Sequence, residues 1–191
     1  GQFFMLECTG IKDGKYIITD LNGDGEISDD DRTYVGDAQP DLTFGWQNNF
    51  TWKNWDFSFF FRGTIGNKVL NNPRAAYANN TYLIGTNALD DELTYTMKES
   101  SRVCSYYLEN GSFIRLDNLA LGYTFDTKKI NWLDKARLYF AAQNLFVITG
   151  YKGLDPEVEL FRGESSDTDA GLSPGIEPRQ FFPKARTFTL G

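Results

Sequence analysis

The sequence predicts an all-β protein. Its antiparallel strands are expected to form part of a transmembrane β-barrel wall with long external loops. Three observations carry this. The chain is 16 % aromatic, with 16 phenylalanines, yet it holds no run of apolar residues long enough for a membrane helix, which needs about 18 or more. Its apolar residues alternate with polar ones over long stretches, the period of two that gives a strand one greasy face and one wet face. The connections between these stretches alternate short and long, as they do in outer-membrane barrels, where periplasmic turns are short and external loops long. A mean hydropathy of −0.42 fits such a wall, because only every second residue meets lipid.

The segment Asp41 to Ile65 organises the chain. Leu42, Phe44, Trp46, Phe50 and Trp52 fall on one face; Thr43, Gly45, Gln47, Asn49 and Thr51 fall on the other. A short turn at Lys53-Asn54 follows, then the pattern repeats. Trp55, Phe57, Phe59, Phe61 and Ile65 share one face and Asp56, Ser58, Arg62 and Thr64 the other, with Phe60 out of place among them. Each run is about eleven to thirteen residues, roughly twice the commonest strand length. Trp52 and Trp55 flank the turn, where a membrane–water interface favours a ring with one wet N–H.

In chain order, Phe3 to Cys8 and Lys15 to Thr19 read as strands around Lys12-Asp13-Gly14, a strong hairpin signal. Asp20 to Asp31 follows, with the spacing of an EF-hand calcium loop. Asp20, Asn22 and Asp24 stand at loop positions 1, 3 and 5, and Gly25 stands where the loop turns sharply. Glu26 offers its carbonyl at position 7, Ser28 a water-mediated contact at position 9, and Asp31 a carboxylate at position 12. Calcium takes six or more hard oxygens, and this spacing wraps them round one point. The other reading is an acidic, solvated turn. No helical pattern precedes the loop, so the expected role is structural. Thr33 to Pro40 reads as a loop.

Asn67 to Gly111 is long and aperiodic, with turn signals at Asn71-Asn72-Pro73, Asn79-Asn80 and Asp90-Asp91-Glu92 and a short helix expected near Asp91 to Glu99. Loops of this length are usually functional. From Ser112 to Phe125 alternation returns, with Leu119, Leu121, Tyr123 and Phe125 opposite Asn118, Ala120, Gly122 and Thr124. Asp126 to Lys135, with Trp132, is a turn. Ala136 to Ile148 is a strand with Leu138, Phe140, Ala142 and Phe146 opposite Arg137, Tyr139 and Gln143. Gly150 to Pro183 is a second long loop, and Ala185 to Gly191 begins a last strand.

A formal charge of −7 argues against a nucleic-acid partner, which wants a basic face. The absence of histidine removes Ser-His and Cys-His nucleophile arrangements, and no carboxylate pair is set across a cleft, so no enzyme is expected. Two cysteines, Cys8 and Cys104, are too few for a disulfide framework, though an oxidising compartment would permit one bridge. Gly1 opens no leader peptide, and the chain is expected to begin inside something longer. A soluble, calcium-stabilised β-sandwich that binds carbohydrate is the alternative. The long aromatic faces and the sorted loops weigh against it.

Several motifs occur in a familiar order. Asp20-Leu21-Asn22-Gly23-Asp24-Gly25-Glu26-Ile27 is followed by Asp31-Arg32-Thr33, Gly36, Pro40-Asp41 and Phe44-Gly45. Then come Gly111 to Asn118 (GSFIRLDN), Leu121-Gly122-Tyr123, Gln143-Asn144-Leu145-Phe146 and Tyr151 to Glu157 (YKGLDPE). Pro183 and Arg186 to Gly191 (RTFTLG) close the set, which spans nearly the whole chain. The set resembles the C-terminal region of SusC/RagA-family TonB-dependent outer-membrane transporters. The resemblance implies part of a barrel of about 22 strands, with residues 1–191 as its C-terminal portion and the N-terminal plug absent. It implies import of oligosaccharides or peptides driven by TonB acting through that plug, with a SusD-like surface lipoprotein as partner and outer-membrane lipid as surroundings. Residues 20–31, 67–111 and 149–182 are then external loops, and Tyr77, Tyr82, Tyr106 and Phe161 are candidates to stack on sugar rings, with plain loop packing as the other reading of each.

Overall fold

The computed structural model describes residues 1–79, 87–127, 133, 135–158, 174–179 and 182–191. Tyr82, Trp132 and Phe161 lie outside the described residues. In chain order the strands are β1 (Gln2–Leu6), β2 (Cys8–Lys12), β3 (Lys15–Ile18), β4 (Arg32–Asp37), β5 (Leu42–Trp52), β6 (Trp55–Ile65), β7 (Lys68–Leu70), β8 (Leu108–Asn110), β9 (Phe113–Phe125), β10 (Ala136–Thr149) and β11 (Thr187–Leu190). Two short helices, α1 (Asn72–Tyr77) and α2 (Glu92–Thr96), fall between β7 and β8. The chain divides into two compact units.

The first unit takes Leu42–Ile65, Phe113–Thr149 and Pro183–Gly191. It is one antiparallel sheet in the order β11-β10-β9-β6-β5. The predicted hairpin has the expected register, with Trp52 opposite Trp55 and Leu42 opposite Ile65. Lys53 takes φ 53° to close the two-residue turn, the left-handed geometry such hairpins prefer. Register carries the apolar face from strand to strand. Phe50 pairs with Phe57, Phe57 with Leu121, and Leu121 with Phe140, while Phe140 reaches Leu190. The rings touch along and across strands: Trp46 to Phe59 at 5.2 Å between centroids, Phe59 to Phe61 at 5.5 Å and Phe61 to Phe146 at 6.2 Å.

The opposite face is polar. Arg62 pairs with Asp117 at 3.1 Å, and Arg137 with Asp56 at 2.5 Å. Phe60 breaks the polar row because Gly45 leaves room for it: a Cβ at Gly45 would stand 3.2 Å from the Phe60 ring. A bulge explains why clean alternation in β9 starts only at Asn118. Phe60 is opposite Asn118 but Phe61 is opposite Leu116, so Asp117 is the extra residue. Across the sheet Asn144 takes φ 51° at the matching irregularity in β10. The inserted residue resets the parity, so Ile114 and Leu116 share the apolar face with Leu119 and Leu121.

The second unit takes Gly1–Asp41, Gly66–Ser112 and Gly150–Phe182. Among the described residues it holds three two-stranded ribbons: β1 with β4, β2 with β3, and β7 with β8. Its core is Phe3, Leu70, Ala75, Ala78, Leu93, Met97, Cys104 and Tyr107. Here the structure corrects the sequence reading. The expected strand Phe3 to Cys8 is two strands separated by Glu7; β1 pairs with β4, and the Asp13-Gly14 turn joins β2 to β3 instead. All of β4 but Arg32 lies in the stretch read as a loop, because Val35 packs against the core and its neighbours complete a ladder with β1. Asn71-Asn72-Pro73 does more than turn: Asn71 accepts a hydrogen bond from the Arg74 N–H as the cap of α1, and Pro73 sits in its first turn. α2 falls within the expected helix, capped by Asp91.

Gly63 sits on β6 where a Cβ would fall 2.3 Å from the Phe113 carbonyl oxygen and 2.8 Å from the Phe44 ring. Gly63→Ala is expected to destabilise the intact protein by about 1–3 kcal/mol, read as a lower denaturant midpoint in detergent. Gly150→Ala, with open space around its Cβ, is the control that leaves the midpoint in place.

Candidate functional site

Two features have functional chemistry. The first is the sheet's apolar face. Within its unit the sheet is a single layer, and Trp46, Trp52, Ile148 and Leu190 are 59 %, 66 %, 63 % and 74 % exposed. A sandwich would cover such a face with a second sheet. Within its own unit, among the described residues, no second sheet covers this one. An eleven-residue strand such as β5, rising ~3.4 Å per residue and tilted by about 45°, stands about 26 Å tall, close to the lipid-facing band of outer-membrane barrels. Trp52, Trp55, Tyr123 and Phe125 gather at the end of the two-residue turn, with the Trp55 and Tyr123 rings at 4.8 Å and the Tyr123 and Phe125 rings at 4.9 Å. Aromatic girdles mark the interface in such walls.

The second feature is the loop 20–31. Asp31 is fully buried and anchors it. One carboxylate oxygen accepts the Leu21 N–H at 2.8 Å and the Asn22 N–H at 3.4 Å; the other accepts the Ser28 N–H at 2.8 Å. These bonds, that from Ser28 foremost, hold the carboxyl below its ordinary range. Asp20 accepts from Gly23 N–H at 2.7 Å and Gly25 N–H at 2.9 Å. Asn22 accepts from Asp24 N–H at 2.9 Å, and Asp24 from Glu26 N–H at 2.8 Å. Gly23 and Gly25 take φ 74° and 84°, the left-handed turns the spacing asks for. Ser28 caps the short 3₁₀ turn Asp29–Asp31 by accepting the Asp30 N–H.

So Asp20, Asn22, Asp24 and Asp31 share one coiled loop, each accepting backbone N–H groups of that loop. A loop that gathers several carboxylates has less repulsion among them when a cation lies with them. Among the described residues no three Asp, Glu or Cys side chains are grouped as a metal site by themselves. A cation here would therefore need the mixed donors of the loop pattern: carboxylate, Asn22 amide, Ser28 hydroxyl and Glu26 carbonyl. Those donors are hard oxygens and suit calcium.

The aromatic candidates are less free. Tyr106 packs edge-on against Tyr107 at 5.4 Å and carries the Arg74 guanidinium over its ring at 5.7 Å, which is packing within its own unit. Tyr77 is half-buried at the end of α1.

Sequence reasoning missed a buried polar network in the same unit. Glu109 accepts from Asn71 Nδ2, Arg74 Nη1 and Lys152 N–H. Arg74 also pairs with Asp91 at 2.7 Å; burial pushes the Asp91 carboxyl up, and the Arg74 hydrogen bond, the Leu93 N–H and the charges of Arg74 and Lys152 together outweigh it, leaving the carboxyl below its usual range. Tyr151 donates to Glu177 at 2.5 Å, and burial raises both groups. Gly153 is required beside them, since a Cβ there would stand 2.3 Å from Glu177 Oε2. Tyr151 to Glu157 stood out as a motif; Glu177 carried no sequence signal.

No protein-family model matches the chain. Among curated proteins, the TonB-dependent receptor P3 of Formosa agariphila is 35 % identical over 192 residues, 93 % of this chain and 18 % of its own length. The TonB-dependent receptor SusC of Bacteroides thetaiotaomicron is 29 % identical over 207 residues, 100 % of this chain and 19 % of its own. Among solved structures, the RagAB peptide importer in its 'closed-closed' state aligns with a TM-score of 0.74 at 25 % identity, covering 98 % of this chain and 22 % of that one. The chain spans about a fifth of the length of the curated relatives it matches.

Asp31 gives the loop a pH dependence of definite sign. Because its folded carboxyl is held below the ordinary value of 3.8, its anchoring is complete above that pH and fades as pH falls through the lowered folded value. Asp31→Ala is expected to make amide exchange at Leu21 and Ser28 roughly tenfold faster at neutral pH, with β5 and β6 unchanged.

Proposed function

The chain belongs to the SusC/RagA family of TonB-dependent receptors, and from that premise we propose that it forms a C-terminal portion of the barrel wall and rim of an outer-membrane importer of large nutrients. The observation that carries this is the single-layer sheet whose aromatic face is left uncovered. Facing lipid, that surface is satisfied; facing water, it is an aggregation hazard. The relatives are receptors and transporters, not enzymes.

In this reading the row of Thr43, Gln47, Asn49, Ser58, Arg62 and Thr124 looks into an aqueous lumen, and Trp52 and Trp55 sit at the periplasmic interface. Residues 20–31, 67–111 and 149–182 face outward. Energy comes from TonB acting on an N-terminal plug, and a SusD-like surface lipoprotein meets the rim. The cargo is an oligosaccharide or a peptide; the solved relative is described as a peptide importer, which favours neither class for this chain until uptake is measured. Lumen charge pairs such as Arg62–Asp117 keep the polar face wetted without leaving an isolated charge near the lipid band.

Calcium belongs to the same proposal. The loop 20–31 supplies hard oxygens at the right spacing, and the carboxylates it gathers gain from a cation. The ion's role is structural, and its affinity falls in the range of extracellular modules, roughly 10⁻⁴ to 10⁻³ M.

Two measurements test these readings. Cells carrying the intact receptor with residues 67–111 replaced by a short linker are expected to lose nutrient uptake while the barrel still reaches the outer membrane; normal rates would remove this loop from the mechanism. Titrating the intact receptor with calcium is expected to give a heat of binding and slower exchange across 20–31, both lost in Asp24→Ala. An unchanged loop with no heat would dismiss the metal.

A further inference from the structure

The two cysteines are far apart in sequence and meet in one unit of the fold. Cys8 opens β2, and Cys104 immediately precedes the 3₁₀ turn Ser105–Tyr107. The backbone of Cys8 is tied to Ser105: its N–H donates to Ser105 Oγ at 2.8 Å, and that hydroxyl donates back to the Cys8 carbonyl at 3.4 Å. Cys104 is fully buried in the core that includes Leu93, Met97 and Tyr107, and half-buried Cys8 packs against the same core. In this structure both cysteines are free thiols, and the Cys8 thiol donates to the Gly10 carbonyl at 3.2 Å.

We propose that Cys8 and Cys104 form a disulfide in the mature protein, fastening the β2–β3 hairpin to the segment that carries α1 and α2. The inference uses the outer-membrane reading for one thing, an oxidising compartment. The oxidant is a protein dithiol–disulfide of the space outside the cytoplasm. The Cys8 thiolate attacks one of its sulfurs, forming a mixed disulfide and releasing the other sulfur as a thiolate. Cys104, deprotonated, then attacks the Cys8 sulfur, and the oxidant leaves as a dithiol. Two electrons and two protons pass from the cysteines to the oxidant.

Burial pushes the folded Cys104 thiol up to about 12, with the nearby Cys8 adding to the rise. A buried thiol of that kind is a poor nucleophile in the finished fold. The bond therefore forms while the unit is still closing, and afterwards the core shields it from reductants. The bridge closes a loop of nearly a hundred residues, the length range in which cross-linking restricts the unfolded chain most.

The test uses the intact receptor isolated from outer membranes. It is denatured in alkylating reagent, with and without prior reduction, and digested. The expected result is a linked peptide pair containing Cys8 and Cys104 that disappears on reduction, with both cysteines alkylated only afterwards. Cys8→Ser should leave Cys104 alkylated without reduction. Two alkylated cysteines in unreduced receptor from the outer membrane would overturn the bridge and leave the transport reading intact. Receptor found in another compartment would overturn the location instead. The bridge would then be judged on the purified protein unfolded and refolded in detergent with oxidised glutathione, where failure to link the pair overturns it.

Discussion

The structure depends on one constraint: a sheet with a mainly apolar face and a mainly polar face cannot satisfy both in the same solvent. Each fully buried aromatic or aliphatic side chain is worth about 1.5–3 kcal/mol when it leaves water. β5, β6, β9, β10 and β11 carry rows of such side chains, and among the described residues their own unit supplies nothing to cover them. Backbone groups add a second demand, since N–H and C=O facing hydrocarbon must be paired. β6, β9 and β10 are paired on both sides. The outer edges of β5 and β11 remain for neighbouring strands, which is what a closed barrel supplies.

The other unit solves a different problem. It brings together short ribbons and two one-turn helices that no periodic pattern could stabilise alone. Tertiary burial replaces periodicity: Ala78, Met97 and Cys104 are fully enclosed, and Asn79, Thr94, Asp31 and Glu177 are buried with partners. A long connection built this way can hold a defined surface instead of sweeping through solvent. Arg74 shows how it is held, pairing with Asp91, reaching Glu109 and covering the Tyr106 ring.

This contrast explains what the sequence disclosed. The long strands were legible because period-two alternation is local: β6 matches its expected run to the residue, and β5 fills its run but for one residue at each end. The bulge at Asp117 was not, because a one-residue insertion shows only when the partner strand is known. β4 was hidden for the same reason, since its strand character comes from β1. The tight coil of the loop 20–31 was legible from spacing, but that Asp31 is the buried anchor that fixes the loop was not. Nor was Glu177, whose partner Tyr151 comes from a distant stretch. Pro73 carried the right signal and was read as a turn when it also starts a helix.

The way the chain enters and leaves the sheet has a further consequence. Leu42 and Ile65, and likewise Phe113 and Thr149, lie at one end of the strand ladder, opposite the two-residue turn at Lys53-Asn54. All the bulky excursions therefore spring from a single margin. Lengthening or rewriting one of them leaves every pairing in the ladder untouched, because no strand must shift register to admit new residues. A scaffold arranged like this lets recognition diversify quickly while the part that must assemble stays under strict physical control.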